Sequence, residues 1–108
     1  MNWSLHIEKL KKGDTVSFRP KGNSMKGKIE SGNLVTVSPD LADLTEDDIV
    51  LCKVKGNHYV HLVKAVKTEK GKKLYLIGNN KGGINGWVGL NSVFGRVTQV
   101  SSEEDKKA

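Results

Sequence analysis

Along most of this sequence apolar and polar residues alternate with the two-residue period of half-buried strands. In "TVSFRP", Val16 and Phe18 alternate with Thr15, Ser17 and Arg19, and Pro20 ends the run. In "NLVTVSP", Leu34 and Thr36 alternate with Val35 and Val37. Further strands are expected in "DIVLCKVKG", "HYVHLVKAV", "KKLYLIG" and "SVFGRVTQV", and the short "KGN" turn predicts a hairpin over 48–66. Only the start follows another period. There Leu5, Ile7 and Leu10 form a partial helical stripe, with Ser4 placed to cap it and Gly13 to stop it. The acidic "LADLTEDD" is read as a single helical turn. The pattern predicts a mainly β domain, barrel-like or made of small curled sheets, with one short N-terminal helix.

The stretch "GNNKGGINGWVG" breaks the alternation. Its twelve residues include five glycines and three asparagines around Trp87, and it is read as an irregular loop rather than a strand. Glycine permits positive φ and asparagine bonds locally to the backbone, so such a loop can form the wall of a site. Residues 1–101 are taken as one domain. The charged end, 102–108, lacks apolar residues and is expected to be a disordered tail.

Composition narrows the class. With 36% hydrophobic and 28% charged residues in 108, the chain can bury a core without staples. Cys52, the single cysteine, lies in an apolar run and is expected to be a small buried hydrophobe. No apolar run approaches membrane-spanning length and no secretory signal opens the chain, so no membrane is expected and the location predicted is cytoplasmic. The net charge is +6. The lysines are scattered among acids and turns, without zinc spacing or a nucleic-acid motif, so nucleic acid is not an expected partner. No metal or other cofactor is called for.

The chemistry turns on "KGNSMKGKIESGNLVTV". Gly22, Asn23, Ser24 and Met25 read either as an ordinary turn or as a turn presenting a nucleophile. A serine hydroxyl needs an adjacent base to act at neutral pH. His6 on the helix and His58 after the turn are expected at the surface. His61 sits mid-strand with Tyr59, Val63 and Ala65 on its face, where an imidazole needs a partner or a cavity. Its ordinary pKa suits general-base work. Lys64 competes as a base, but alternation sends it to the opposite face with Val60, Leu62 and Val66, and a bulge would be needed to bring it round.

The order of these elements resembles the LexA-like repressor and signal-peptidase group of serine peptidases. "GNSMKGKIESGNLV" matches that group's G-x-S-M-x-P-x-I-x-x-G-D-x-V element, "DIVLCK" its GDIVxxK strand, "YVHLV" its Y-[VI]-[KH]-R-[VI] strand and "GRVTQV" its closing GxVxxV strand. The resemblance runs from about Thr15 to Val100 and implies a LexA/signal-peptidase-like fold. It implies Ser24 as nucleophile, Met25 beside it, and His61 as base in the histidine-type variant. That branch also carries GDNN and a later aspartate. Here Gly78 replaces the first acid, and Asn85 lies within one residue of the second. Asn85, or else Asn79 or Asn80, is therefore expected to orient the imidazole by hydrogen bonding. The motif's proline is Gly27 and its Gly-Asp is Gly32-Asn33, exchanges suited to turns.

Only 23 residues precede Ser24 and none forms an Ala-Gly or Cys-Gly bond. The expectation is a free-standing peptidase domain that does not cut itself. A Ser24–His61 dyad would hydrolyse a peptide or protein substrate, with oxyanion or substrate contacts from Ser24, Met25 and Trp87. The alternative is a catalytically weak or inactive module that binds peptide or protein partners. A homodimer or a partner protein is compatible with either.

Overall fold

A computed structural model describes residues 3–22 and 24–102. Asn23, next to Ser24, and 103–108 of the expected tail lie outside the described residues. The elements are α1 (Trp3–Lys11), β1 (Val16–Phe18), β2 (Leu34–Ser38), β3 (Ile49–Val54), β4 (Asn57–Glu69), β5 (Lys72–Gly78), β6 (Ile84–Gly89), a 3-10 turn (Leu90–Ser92) and β7 (Val93–Ser101). The seven strands join in one sheet, in the order β1-β2-β7-β3-β4-β5-β6. Every neighbouring pair is antiparallel. The fold is mainly β, as the alternation predicts. No helix among the described residues is long and apolar enough to cross a membrane.

Alternation on β3 explains where the core sits. Ile49 and Leu51 join a cluster with Val35, Val37, Phe18 and the helix residues Ile7 and Leu10. Val50, Cys52 and Val54 face the other way, into a cluster with Val63, Tyr75, Ile77 and Val93. The central strands are thus apolar on both faces because both faces are covered. Cys52 is fully buried, and burial pushes its thiol up to about 12, so it acts as a hydrophobe.

Local chemistry sets the turns. Lys55 and Gly56 have φ of 50° and 85°, as do Lys70 and Gly71 with 51° and 78°. Paired positive φ values of this kind make the tight turns whose twist matches antiparallel strands. Helix α1 stops where Gly13 N–H reaches Leu10 O (3.0 Å) and Asp14 N–H reaches Lys9 O (3.0 Å), with Gly13 at φ 93°.

Four expectations need correction. Ser4 is inside α1 rather than at its cap. "LADLTEDD" forms no helical turn: Asp43 and Asp47 take positive φ, and Thr45 N–H bonds Asp48 Oδ2 at 2.9 Å. Aspartate competes with helix in this way by bonding nearby backbone. The stretch "GNNKGGINGWVG" is an irregular loop only in its first part, since Ile84–Gly89 is edge strand β6. An edge tolerates glycine and irregularity because one side of the ladder is free. Finally, the β4–β5 register shifts between Val63 and Ala65, which makes Lys64 a bulge residue and turns Val66 toward the cluster holding Val63.

A very close approach within the sheet is at Gly95 of β7. A Cβ there would lie 2.4 Å from Val37 Cγ1 and 2.9 Å from Ser38 O. Val37 is stiff and fully buried, so neither atom has room to yield. Gly95→Ala is expected to destabilise the protein by about 1–3 kcal/mol, measured as a lower urea midpoint at unchanged slope.

Candidate active site

The turn carrying Ser24 is fixed by its own backbone and by two apolar anchors. Met25 O accepts from Lys28 N–H (2.9 Å) and Ile29 N–H (2.8 Å), while the Met25 and Ile29 side chains are buried in the first core cluster. Gly27 has φ 100°, and its N–H donates to Glu30 Oε2 at 2.6 Å. Proline can supply neither that φ nor that donor. The glycine in place of the motif's proline is therefore a requirement of this turn. Asn33 likewise earns its place by accepting Glu30 N–H on its Oδ1 (2.7 Å).

Strand β4 brings His61 to this turn. The His61 ring bridges two partners: Nε2 lies 3.0 Å from Ser24 Oγ, and Nδ1 lies 2.7 Å from Asn85 Oδ1. An amide oxygen only accepts, so Nδ1 carries the proton and Nε2 is left with the lone pair that faces the hydroxyl. His61 is 5% exposed and stacks on Tyr59 with ring centroids 4.6 Å apart. Burial lowers its pKa below the ordinary 6.5; the Asn85 bond works against this and the charge of Lys64 works with it. The imidazole is neutral at neutral pH, the form a proton acceptor needs.

Asn85 reaches His61 through an irregularity in β6. Ile77 pairs with Gly86 and Gly78 with Ile84, so Asn85 is the extra residue of a bulge. Bulges re-aim side chains in this manner. The other two candidate orienters serve the loop instead. Asn79 Oδ1 accepts from Lys81 and Gly83 N–H, both at 2.8 Å. Asn80 clips the loop to the serine turn: its N–H donates to Ser24 O (2.9 Å) and its Nδ2 to Lys26 O (2.8 Å). Gly78, where the resemblance would place an acid, has no room for a side chain, since a Cβ would sit 2.4 Å from Gly83 O.

A cavity of about 220 Å³ opens beside the pair and is lined by Ser24 and His61 themselves. Buried Met25, Ile29 and Val60 contribute apolar wall, and the rings of Trp3, His58 and Tyr59 complete it. Trp87, expected at the site, is not among the lining residues; it is 40% exposed on β6 with Lys67 Nζ 4.3 Å above its ring. Edge-strand alternation turns it outward. His58 is half-buried rather than at the surface, stacked on Trp3 at 6.2 Å. His6 is also half-buried, against Phe18 at 4.7 Å. The contribution of Trp3 was missed, since no spacing rule links the helix start to the strand at 58–61.

Titration of His61 tests this geometry. Its imidazole signals, followed by NMR, are expected to titrate below pH 6.5. Asn85→Ala removes the bond that favours imidazolium and should lower the midpoint further; Asn85→Asp should raise it. Because the folded chain binds this proton more weakly than the unfolded one, stability should fall as pH drops below 6.5 and level off below the folded pKa. A His61 midpoint above 6.5 in the unaltered protein would contradict the structure.

The family model described as Peptidase S24-like matches residues 2–85, a span containing Ser24, His61 and Asn85. No curated protein matches the sequence as a relative. With most of its length matched and the mainly β fold in place, the chain belongs to the Peptidase S24-like family.

Proposed function

We propose that this protein is a serine peptidase in which Ser24 is the nucleophile and His61 the general base. The observation carrying this reading is the unbroken path from Ser24 Oγ through Nε2 and Nδ1 of His61 to Asn85 Oδ1. His61 takes the hydroxyl proton as Oγ attacks a peptide carbonyl. It then gives that proton to the departing amine, leaving an acyl-enzyme. Water, deprotonated by the same imidazole, releases the acid and restores Ser24. The backbone N–H of Ser24, with that of Met25, is the proposed donor set for the developing oxyanion. Asn85 acts as a positioning residue, holding the tautomer without touching substrate. Substrate is a peptide or protein segment, and the cytoplasm is the proposed place of action.

A second reading follows from Asn85 itself. An amide offers the imidazolium no opposite charge, so the same site suits a slow peptidase or a module that binds peptides without cutting them. The two readings separate in one measurement, the labelling rate with a fluorophosphonate probe across pH 5–9.

Labelling at Ser24 is expected to rise with deprotonation of His61, to vanish in Ser24→Ala and to drop by about 10²–10⁴-fold in His61→Ala. Asn85→Asp should label about tenfold faster than the unaltered protein, since a carboxylate stabilises the imidazolium formed at the transition state. A folded protein that stays unlabelled at every pH would leave the binding module as the function.

A further inference from the structure

Lys64 follows His61 by three residues on β4, and plain alternation would send the two side chains to opposite faces of the strand. The register shift between Val63 and Ala65 removes that separation. The aliphatic stem of Lys64 lies over Gly78 of β5, with Cγ and Cε each 3.1 Å from where a Cβ of that glycine would stand. Gly78 pairs on one side with Leu62, the neighbour of His61, and on the other with Ile84, the neighbour of Asn85. The stem is thus seated beside the His61–Asn85 bond, over the residue that replaces the motif's first acid.

Lys64 is half-buried, and no ion pair of the described residues includes it. Two acids meet β4 at Val63. Asp48 is engaged with Arg96 at 3.6 Å, and Asp47 donates its N–H to Val63 O (2.9 Å) without bridging to Lys64. Lys81, on the loop beyond Gly78, is exposed. The side chains touching His61 are Ser24, Asn85 and Tyr59, none of which carries a carboxylate or an ammonium. The charge acting on the ring is that of Lys64. Resting on the peptidase reading, we propose that Lys64 acts through His61 as a brake on the dyad, its unpaired positive charge opposing the charge the ring takes up with the serine proton.

A like charge raises the energy of the imidazolium and leaves the neutral ring almost untouched. The cost therefore falls on the transition state, where the proton has begun to move, and not on the resting protein. Without the charge at position 64 His61 becomes the stronger base. Above its midpoint a stronger base reacts faster; below it, a stronger base is more often blocked by a proton. The pH profile of a protein lacking this charge should cross that of the unaltered one.

The test compares Lys64→Met, which keeps the stem without the charge, with Lys64→Gln and with Lys64→Arg, which keeps the charge. The His61 midpoint is read by imidazole NMR, and Ser24 labelling by a fluorophosphonate is timed across pH 5–9. Lys64→Met and Lys64→Gln are expected to raise the midpoint, to label about two- to tenfold faster at pH 9 and to label more slowly at pH 5. Lys64→Arg should follow the unaltered protein in both readouts. A stem that serves packing alone would slow labelling at every pH and leave the midpoint in place. That result, a midpoint left unmoved by Lys64→Met and Lys64→Gln, or a raised midpoint without faster labelling at pH 9 in a protein that labels, overturns the inference. If no form labels, the peptidase reading fails, while the midpoint alone still upholds or overturns Lys64 as the restraint on His61.

Discussion

The contact between His61 Nδ1 and Asn85 Oδ1 joins two strands that are not neighbours. Strand β5 runs between β4 and β6. Strands in a flat sheet lie about 4.8 Å apart, so next-but-one strands are separated by roughly twice that distance. A 2.7 Å bond across the gap requires the sheet to curl and the side chains to be aimed at each other. Both pairings of β5 carry a register shift near the site, at Lys64 and at Asn85. Each adds twist where the ladder would otherwise run straight. Gly78, between them on β5, lets the Gly83 carbonyl and the Lys64 side chain close over bare backbone.

That curl places one short segment in two jobs. Residues 79–85 leave β5, fold on the Asn79 side chain and return as β6. On the way Asn80 holds the carbonyl of Ser24 and Asn85 holds the ring of His61. Ser24 and His61 sit on distant parts of the chain, yet the same seven residues bond to both. Displacing the segment would disturb both hydrogen bonds of the imidazole together. Gly78 and Gly83, part of the run that reads as an irregular loop in the sequence, allow close backbone approaches in this short length.

Most of the strands and the hairpin over 48–66 were legible because they depend on local alternation, whereas the core on both faces of the central strands was not, since the same alternation fits strands buried on one face only. Ser24 and His61 were also legible as candidates, through the motif order. The choice among Asn79, Asn80 and Asn85 was not, since all three share a glycine-rich run and only a bulge decides which side chain reaches the ring. The same limit applies to Val66, whose face follows from the extra residue at Lys64 rather than from counting. Ile84–Gly89 was hidden as a strand because an edge position relaxes the very rules used to recognise one. The wall supplied by Trp3 arises from packing of α1 beside β4, a long-range contact with no sequence period.

The substitution of an amide for an acid has a definite physical consequence at His61. Burial, a neutral hydrogen-bond acceptor and the nearby Lys64 leave the imidazole without an opposite charge. Through its Oδ1, Asn85 supports the tautomer whose Nε2 lone pair faces Ser24, but an amide also carries an NH2 donor and so fixes that tautomer less firmly than a carboxylate. It gives much less help once the ring has accepted a proton and become cationic. A base with a lowered pKa is unprotonated across the neutral range but holds a transferred proton weakly. Orientation and charge stabilisation, which an acidic third member supplies together, are thus separated in this site, and only the first is present.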